Sequence, residues 1–212
     1  AHEMGHALHS FYSHRDQPYI YAGYRIFVAE VASICNEMLL VQYMIRQAKD
    51  TEEKKYLINY LLEQFRTTLY RQTMFAEFEK IIHQKKGEGQ TLTAKALCAI
   101  YYELNTKYFG KDTTVDQAIA MEWARIPHFY YNFYVFQYAT GYSAAIALSR
   151  RILNEGESAV KDYLGFLKGG CSKDPVSLLR GAGVDMATKE PVNAALKLFG
   201  ELIDELDELL AE

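Results

Sequence analysis

The sequence predicts an all-α fold, and three observations support this. Apolar residues recur at the helical spacing of three to four positions along most of the chain, proline occurs only four times in 212 residues, and alternating strand patterns are weak. A chain of this length can bury one sizeable hydrophobic core. We therefore expect a single helical domain over residues 1–212.

Each predicted helix is bounded by residues that start or stop helices. Asp50 or Thr51 caps one long helix and Thr91 or Thr93 the next, because Asp and Thr side chains accept hydrogen bonds from the free N–H groups of a first turn. Pro127 breaks the chain ahead of an aromatic stretch that again has helical spacing. Residues 13–23 are expected to form a loop, with a brief extended piece at 19–21. The predicted helices comprise residues 1 to about 9–12, 26–48, 51–84, 91 or 93 to about 110, 115–120, 131–154, 158–167, a short one from 175, and one from about 191 to the acidic end.

Charge and composition argue against several classes of function. The formal net charge is −4 and no block of Lys or Arg stands out, so no nucleic-acid partner is expected. No apolar run approaches the length of a membrane span, so no membrane partner is expected either. The three cysteines, Cys35, Cys98 and Cys171, lie far apart and form no CxxC pair, which argues against a cysteine zinc site and favours a reducing, cytoplasmic compartment.

The first residues contain a metal-binding motif, HEMGH at residues 2–6. His2 and His6 are four residues apart, so in a helix their imidazoles lie on one face and can bind the same zinc ion. Glu3 adjoins the first histidine, which is the position for a general base that acts on a zinc-activated water. A polar helix face without metal is the alternative that the motif alone leaves open.

A third ligand is expected in the apolar helix that follows. Glu30 has no charged neighbour within four residues on either side, and burying its charge is costly unless it is paired or bound to a metal. A catalytic zinc ion takes three protein ligands and leaves one position open for water. Glu37 lies seven residues later on the same face, where it either orients a ligand histidine or is a surface residue. A Glu30 that extends to solvent is the competing interpretation.

These segments resemble the thimet oligopeptidase and oligoendopeptidase F family of zinc metallopeptidases. HEMGHALH at residues 2–9 is similar to the HExGHxxH signature of that family. FVAEVAS at residues 27–33, followed by Asn36 and Glu37, resembles the helix that carries its glutamate ligand. Residues 128–142 are similar to its C-terminal pattern, so the resemblance covers almost the whole chain and is nearest to the oligoendopeptidase F branch.

The resemblance implies a helical, zincin-like domain that hydrolyses short peptides and binds one zinc ion per chain. His2, His6 and Glu30 would bind the zinc ion, Glu3 would be the general base, and His9 would support the site without binding metal. Members of the family have a deep channel that admits short peptides and a large N-terminal portion ahead of the motif. We therefore expect this chain to be a fragment of a larger peptidase, and no oligomeric state is predicted.

The aromatic stretch provides candidates for binding the substrate and stabilising the transition state. His128, Tyr131, Tyr138 and Tyr142 keep close to one face of the helix predicted there. Aromatic core packing would be the preferred interpretation without the metal motif. The resemblance implies instead that a histidine and tyrosines donate to the charge that builds up on the carbonyl oxygen. His128 and Tyr138 are the first candidates, Tyr142 is the second choice of tyrosine and Tyr131 the third.

The favoured function is that of a zinc metalloendopeptidase with short peptides as substrates. Three alternatives remain open: a metal-binding fragment without activity, a helical carboxypeptidase with a similar motif, and a helical interaction domain without enzymatic function. Metal content separates the last of these from the others. A peptide with a blocked C terminus separates an endopeptidase from a carboxypeptidase.

Overall fold

A computed structural model describes residues 1–211 as a set of helices, with no strand among them. The all-α prediction is thus confirmed. Ten α-helices follow one another along the described chain, together with a π-helical turn at Phe65–Tyr70 and two 3₁₀ helices at Gln117–Arg125 and Pro127–Tyr130. The α-helices are α1 His2–Asp16, α2 Tyr19–Ala22, α3 Ile26–Arg46, α4 Thr51–Gln64, α5 Arg71–Gly87, α6 Ala94–Phe109, α7 Phe136–Glu155, α8 Glu157–Leu167, α9 Pro175–Gly181 and α10 Glu190–Ala211.

The capping residues decide between the alternatives that the sequence leaves open. Asp50 accepts a hydrogen bond from the Glu53 N–H at 2.8 Å and caps α4. Thr93 accepts one from the Ala96 N–H at 3.2 Å and caps α6. The Asp50 carboxylate and the Thr93 hydroxyl each lie at an N-cap, where they satisfy a backbone N–H that would otherwise lack a partner.

The boundaries near the N terminus differ from the prediction. Helix α1 continues to Asp16, beyond the predicted end at residues 9–12, because no glycine or proline follows Gly5 until Pro18. The residues expected to be extended, 19–21, form the short helix α2 with Pro18 at its N-cap. The long helix predicted over residues 51–84 has a π-helical turn in its middle and ends at Gly87.

The largest difference concerns the aromatic stretch. Residues 131–135 are not helical, and α7 begins at Phe136. Asn132 and Phe133 have φ angles of 41° and 54°, in the left-handed region that side-chain-bearing residues seldom adopt. The prediction of one helix over residues 131–154 is wrong at its beginning, so the candidate histidine and tyrosines do not form a single helical stripe.

The chain forms two compact units. Unit 1 consists of Ala1–Phe65 and the chain from Thr140 onward; unit 2 is Arg66–Ala139. In unit 1, α3 packs against α1 and α4, and α10 packs on α4. In unit 2, α6 packs against α5 and the first 3₁₀ helix.

Each unit has its own hydrophobic core. The core of unit 1 includes Val31, Ala32, Cys35, Ile58, Leu61, Ala145 and Ile146. The core of unit 2 comprises Met74, Phe75, Phe78, Tyr101, Leu104, Ile126 and Val135. That residues 1–212 act as a single catalytic domain stays a prediction.

Helix α3 is long and apolar enough to meet the composition of a membrane span, contrary to the expectation that no segment would. The core helix of a globular domain passes the same test. In this structure eight residues of α3 are buried within unit 1, where α1 and α4 pack against the helix.

Candidate functional site

Both histidines of the metal-binding motif lie on α1, and the backbone of this helix is in contact with the backbone of α3. A Cβ atom placed on Gly5 would lie 2.5 Å from Ser33 Cα and 2.6 Å from the Ala32 carbonyl oxygen. Real Cβ atoms do not come so close to another backbone, and no side-chain rotation can relieve such a contact. Ala32 and Ser33 are fully buried. Glycine at position 5 thus allows α1 and α3 to approach as closely as the site requires.

Hydrogen bonds hold the first turn of α1 against α3 and orient Glu30 within α3. The Asn36 side-chain amide donates to the Ala1 carbonyl oxygen at 2.8 Å, and the same oxygen accepts the Gly5 N–H at 3.1 Å. The first turn of α1 is therefore held by α3. On α3 itself, the Ser33 hydroxyl lies 3.0 Å from Glu30 Oε2 and from the Glu30 carbonyl oxygen, and donates to this residue.

Three predicted ligands meet where α1 and α3 face each other. Glu30 Oε2 lies 3.3 Å from His2 Nε2 and 3.5 Å from His6 Nε2. The three ligand atoms all lie within 4.8 Å of one another. The side chains of His2, His6 and Glu30 are 38%, 27% and 34% exposed, so solvent reaches the cluster from one side. Two imidazole nitrogens, one carboxylate oxygen and an open side form the ligand set that a catalytic zinc ion uses.

Glu37 contacts the back of the first histidine. Its Oε1 lies 3.3 Å from His2 Nδ1, while Nε2 of the same ring faces Glu30. A carboxylate that accepts the Nδ1 proton fixes the tautomer and leaves Nε2 free to bind metal. The structure thus brings Glu37 to the position expected of a residue that orients a ligand. Glu3, the candidate base, is exposed beside His2.

His9 is buried and belongs to the packing under the site. Its ring stacks on Tyr24 with 3.7 Å between centroids and an interplanar angle of 5°, and it also contacts Phe166 at 5.3 Å. Burial, and then the neighbouring charge of His6, lowers the pKa of His9 to about 4. Near neutral pH this side chain is therefore uncharged and serves as a packed aromatic ring.

In unit 2 three of the other candidates, His128, Tyr131 and Tyr138, form an aromatic cluster together with Tyr134. The Tyr138 hydroxyl lies 3.2 Å from His128 Nε2. Tyr134 stacks on His128 with 5.3 Å between centroids, and it contacts Tyr138 at 5.7 Å and Tyr131 at 6.0 Å. Tyr131 is 64% exposed, at the open side of the cluster. Histidine and phenol groups close together can donate hydrogen bonds to an anionic oxygen.

Tyr142 does not belong to this cluster. It lies in unit 1, is 1% exposed, and packs edge-on against Phe65 at 5.1 Å. Burial, and then the charge of Glu37, raises the pKa of its phenol. Its role as an oxyanion donor stays a prediction that burial does not support, because a substrate cannot reach a fully buried hydroxyl.

Sequence reasoning missed Glu79 of α5, which is 1% exposed and accepts a hydrogen bond from the Phe133 N–H. The available signal was weaker than the one for Glu30, because Glu77 and Lys80 are charged neighbours of Glu79. Glu79 lies between Phe75 and Ile82 at helical spacing, so it is a carboxylate on an apolar face. The packing role of Gly5 was also missed, since spacing alone does not show which helix will pass close to a glycine.

The sequence matches the family described as Peptidase family M3 over residues 1–198. Oligopeptidase PepF of Bacillus subtilis is 55% identical over 209 residues, and the match covers 99% of this chain and 31% of that protein. Chromosomal oligoendopeptidase F of Lactococcus lactis subsp. cremoris is 44% identical over 209 residues, with 99% of this chain and 35% of the relative covered.

Comparison with solved structures gives the same relationship. The crystal structure of oligoendopeptidase-F from Enterococcus faecium superimposes with a TM-score of 0.89 at 43% identity, over 99% of this chain and 38% of that one. The chain spans about one third of the length of the relatives it matches. The resemblance to the oligoendopeptidase F branch is confirmed, and the chain belongs to Peptidase family M3.

Proposed function

We propose that this chain carries the catalytic zinc site of an endopeptidase that hydrolyses short peptides. One observation carries this proposal: the ligand atoms of His2, His6 and Glu30 lie within 4.8 Å of one another, on one open side of a fixed helix pair. Membership of a metallopeptidase family and the names of the relatives, oligopeptidase and oligoendopeptidase, support it.

The residues present fit one zinc ion per chain. His2 and His6 would bind through Nε2 and Glu30 through a carboxylate oxygen, with Glu37 fixing the His2 ring through Nδ1. Zinc bound here would lower the pKa of a water molecule and polarise the carbonyl group of the peptide.

The remaining steps are proton transfers and hydrogen bonds made by side chains of this chain. Glu3 takes a proton from the attacking water and passes it to the departing amine, which needs an exposed carboxylate beside the first histidine. His128 and Tyr138 donate hydrogen bonds to the carbonyl oxygen as it gains charge, a role supported by their mutual contact and by the family resemblance. Tyr131, exposed at the edge of the aromatic cluster, is the candidate for contact with the rest of the peptide.

The substrate class and the cellular location are also part of the proposal. Short peptides are the proposed substrates, on the basis of the relatives' names. A cytoplasmic location is proposed because Cys35, Cys98 and Cys171 are free thiols, as expected in a reducing compartment.

A metal-binding segment without activity of its own is the second candidate. The chain spans 31% to 38% of the relatives' lengths, which favours a requirement for residues outside this segment. The two candidates differ in catalysis and agree in metal content.

Metal analysis combined with a peptide assay tests the proposal. The 212-residue chain should bind about one zinc ion. It should also cleave an internally quenched short peptide whether or not the C terminus of the peptide is blocked. Glu3→Gln should retain zinc and lose about 100-fold or more in kcat, whereas the exposed Glu52→Gln should behave as wild type. Absence of zinc would overturn the proposal. Zinc without cleavage would favour the inactive segment, and cleavage only of peptides with a free C terminus would favour a carboxypeptidase.

A further inference from the structure

The segment between the second 3₁₀ helix and α7 has an unfavourable backbone. Asn132 and Phe133 follow each other with φ angles of 41° and 54°. A single asparagine tolerates this region through its short polar side chain, but a phenylalanine does so at a cost, and two such residues in succession are rare. Such a conformation persists only where surrounding contacts determine it.

Helix α5 supplies these contacts at both ends of the segment. Phe75 and Phe78 pack against Phe129, with ring centroids 5.5 Å and 5.2 Å apart. One turn further along, His83 packs on the ring of Phe133 at 4.5 Å. Between these contacts, Glu79 Oε1 accepts the Phe133 N–H at 2.5 Å.

The Glu79 carboxylate is an unusual group to bury for packing alone. It is 1% exposed, and no lysine or arginine pairs with it within the described part of the chain. The other buried carboxylate of unit 2, Glu122, is held by Arg71, Arg125 and the Tyr101 hydroxyl. Glu79 instead accepts a hydrogen bond from the N–H of Phe133, one of the two left-handed residues. A charged acceptor makes a stronger hydrogen bond to a backbone donor than a neutral one.

The non-helical segment, residues 131–135, connects the members of the aromatic cluster. His128 precedes it, Tyr131 and Tyr134 flank the two left-handed residues, and Tyr138 follows in α7 with its hydroxyl 3.2 Å from His128 Nε2. Tyr134 stacks on His128, and the two left-handed residues lie between them in the chain.

We propose that Glu79 is a positioning residue for peptide cleavage: by holding Phe133 in its left-handed conformation, it places His128, Tyr134 and Tyr138 for contact with the substrate. This inference rests on the proposed function. Glu79 itself touches neither substrate nor metal. Its removal is therefore expected to lower the rate of the chemical step and to leave metal binding unchanged.

Four variants of the full chain test this inference in an assay with an internally quenched short peptide. Glu79→Ala should lower kcat about 100-fold, the loss expected when groups are displaced by about 1 Å, with a smaller change in KM and an unchanged zinc content. Glu79→Gln keeps an oxygen that can accept the Phe133 N–H and should retain most of the activity. Adding Phe133→Gly to Glu79→Ala should restore part of kcat, because glycine adopts positive φ angles readily and Phe133 is half-exposed. Glu77→Ala is the matched control on the same helix, because Glu77 accepts hydrogen bonds from Lys107 and Tyr108 instead of Phe133, and its kcat should be unchanged.

Protection of the Phe133 amide from hydrogen exchange gives a second measurement that does not depend on cleavage. It should be high in the wild type and in Glu79→Gln and low in Glu79→Ala. If Glu79→Ala does not fold, Glu79→Asp replaces it, since the shorter side chain keeps the charge but withdraws the acceptor from the amide.

The outcomes are separable. Unchanged kcat together with an unchanged Phe133 amide in Glu79→Ala overturns the inference, as do equal losses of kcat in the Gln and Ala variants without rescue by glycine. A wild-type chain that binds zinc but cleaves nothing overturns the proposed function, and the amide measurement then still decides whether Glu79 holds the segment.

Discussion

The candidate metal centre of unit 1 and the aromatic cluster of unit 2 bring their side chains together in two different ways. The first rests on two regular helices in backbone contact at Gly5, with His2 and His6 one turn apart on α1 and Glu30 on α3. The second depends on an irregular segment in which Asn132 and Phe133 adopt left-handed conformations held by Glu79. In the helix pair, the positions of the candidate ligands depend on residue spacing and on the packing of two helices. In the irregular segment, the positions of the aromatic residues depend on a contact with Glu79, which is distant in sequence.

Removing a ligand is the most severe test of the helix-held metal centre. Glu30→Gln replaces a charged oxygen with a neutral amide, and we expect zinc affinity to fall more than about 100-fold, beyond the range for residues that only orient ligands. Competition with a chelator measures the change, with the exposed Glu52→Gln as the control. Unchanged affinity in the Glu30 variant would show that the three groups do not form one site.

The buried His9 makes the unfolding free energy of the metal-free protein depend on pH. Its pKa is lowered from 6.5 to about 4 in the folded chain, so the unfolded chain binds the additional proton between these values. Stability is therefore fully present above about pH 6.5 and falls as the pH decreases towards 4, by up to about 3 kcal/mol from this residue. Denaturant unfolding at several pH values measures the slope. His9→Phe keeps the stacking on Tyr24 without the titration, and an unchanged slope in that variant would refute the assignment.

Gly5→Ala tests the backbone contact between α1 and α3. The new methyl group would meet the backbone of Ser33, so the helices must separate, at a cost of about 1–3 kcal/mol in unfolding free energy and with a loss of zinc affinity. Gly165 is the matched control: it lies in the interior of α8, and a methyl group there meets no atom within 4 Å. Gly165→Ala should be neutral or stabilising by up to about 1 kcal/mol. Equal behaviour of the two variants would contradict the close-contact interpretation.

The smallest expected effect on folding comes from the aromatic cluster. Tyr138→Phe removes the hydroxyl that contacts His128, which should lower the unfolding free energy by about 1 kcal/mol or less. Zinc content should not change, because the metal ligands are all in unit 1. Loss of zinc in this variant would contradict the expectation that zinc binding depends only on side chains of unit 1.

The sequence predicts the metal centre more fully than the aromatic cluster, for a physical reason. Helical spacing relates His2 to His6 and Glu30 to Glu37, and the cost of a carboxylate on an apolar face singles out Glu30. That the two pairs meet was implied by the family resemblance, and the structure brings them together. The helices themselves and the capping roles of Asp50 and Thr93 follow from the same local rules.

The aromatic cluster could not be predicted in the same way. Residues 131–135 have apolar spacing typical of a helix, but a hydrogen bond from Phe133 to a residue 54 positions away, Glu79, competes with helical pairing. Local propensity does not include such a contact. The burial of Tyr142 was missed for a related reason, since its neighbour Phe65 comes from another part of the chain.

The backbone contact at Gly5 also makes the spacing of the two ligand-bearing helices a one-sided limit. Helices α1 and α3 already touch, so a substitution can move them apart but cannot bring them closer. The shortest distance between the helix that carries His2 and His6 and the helix that carries Glu30 is therefore set by the residue that has no side chain.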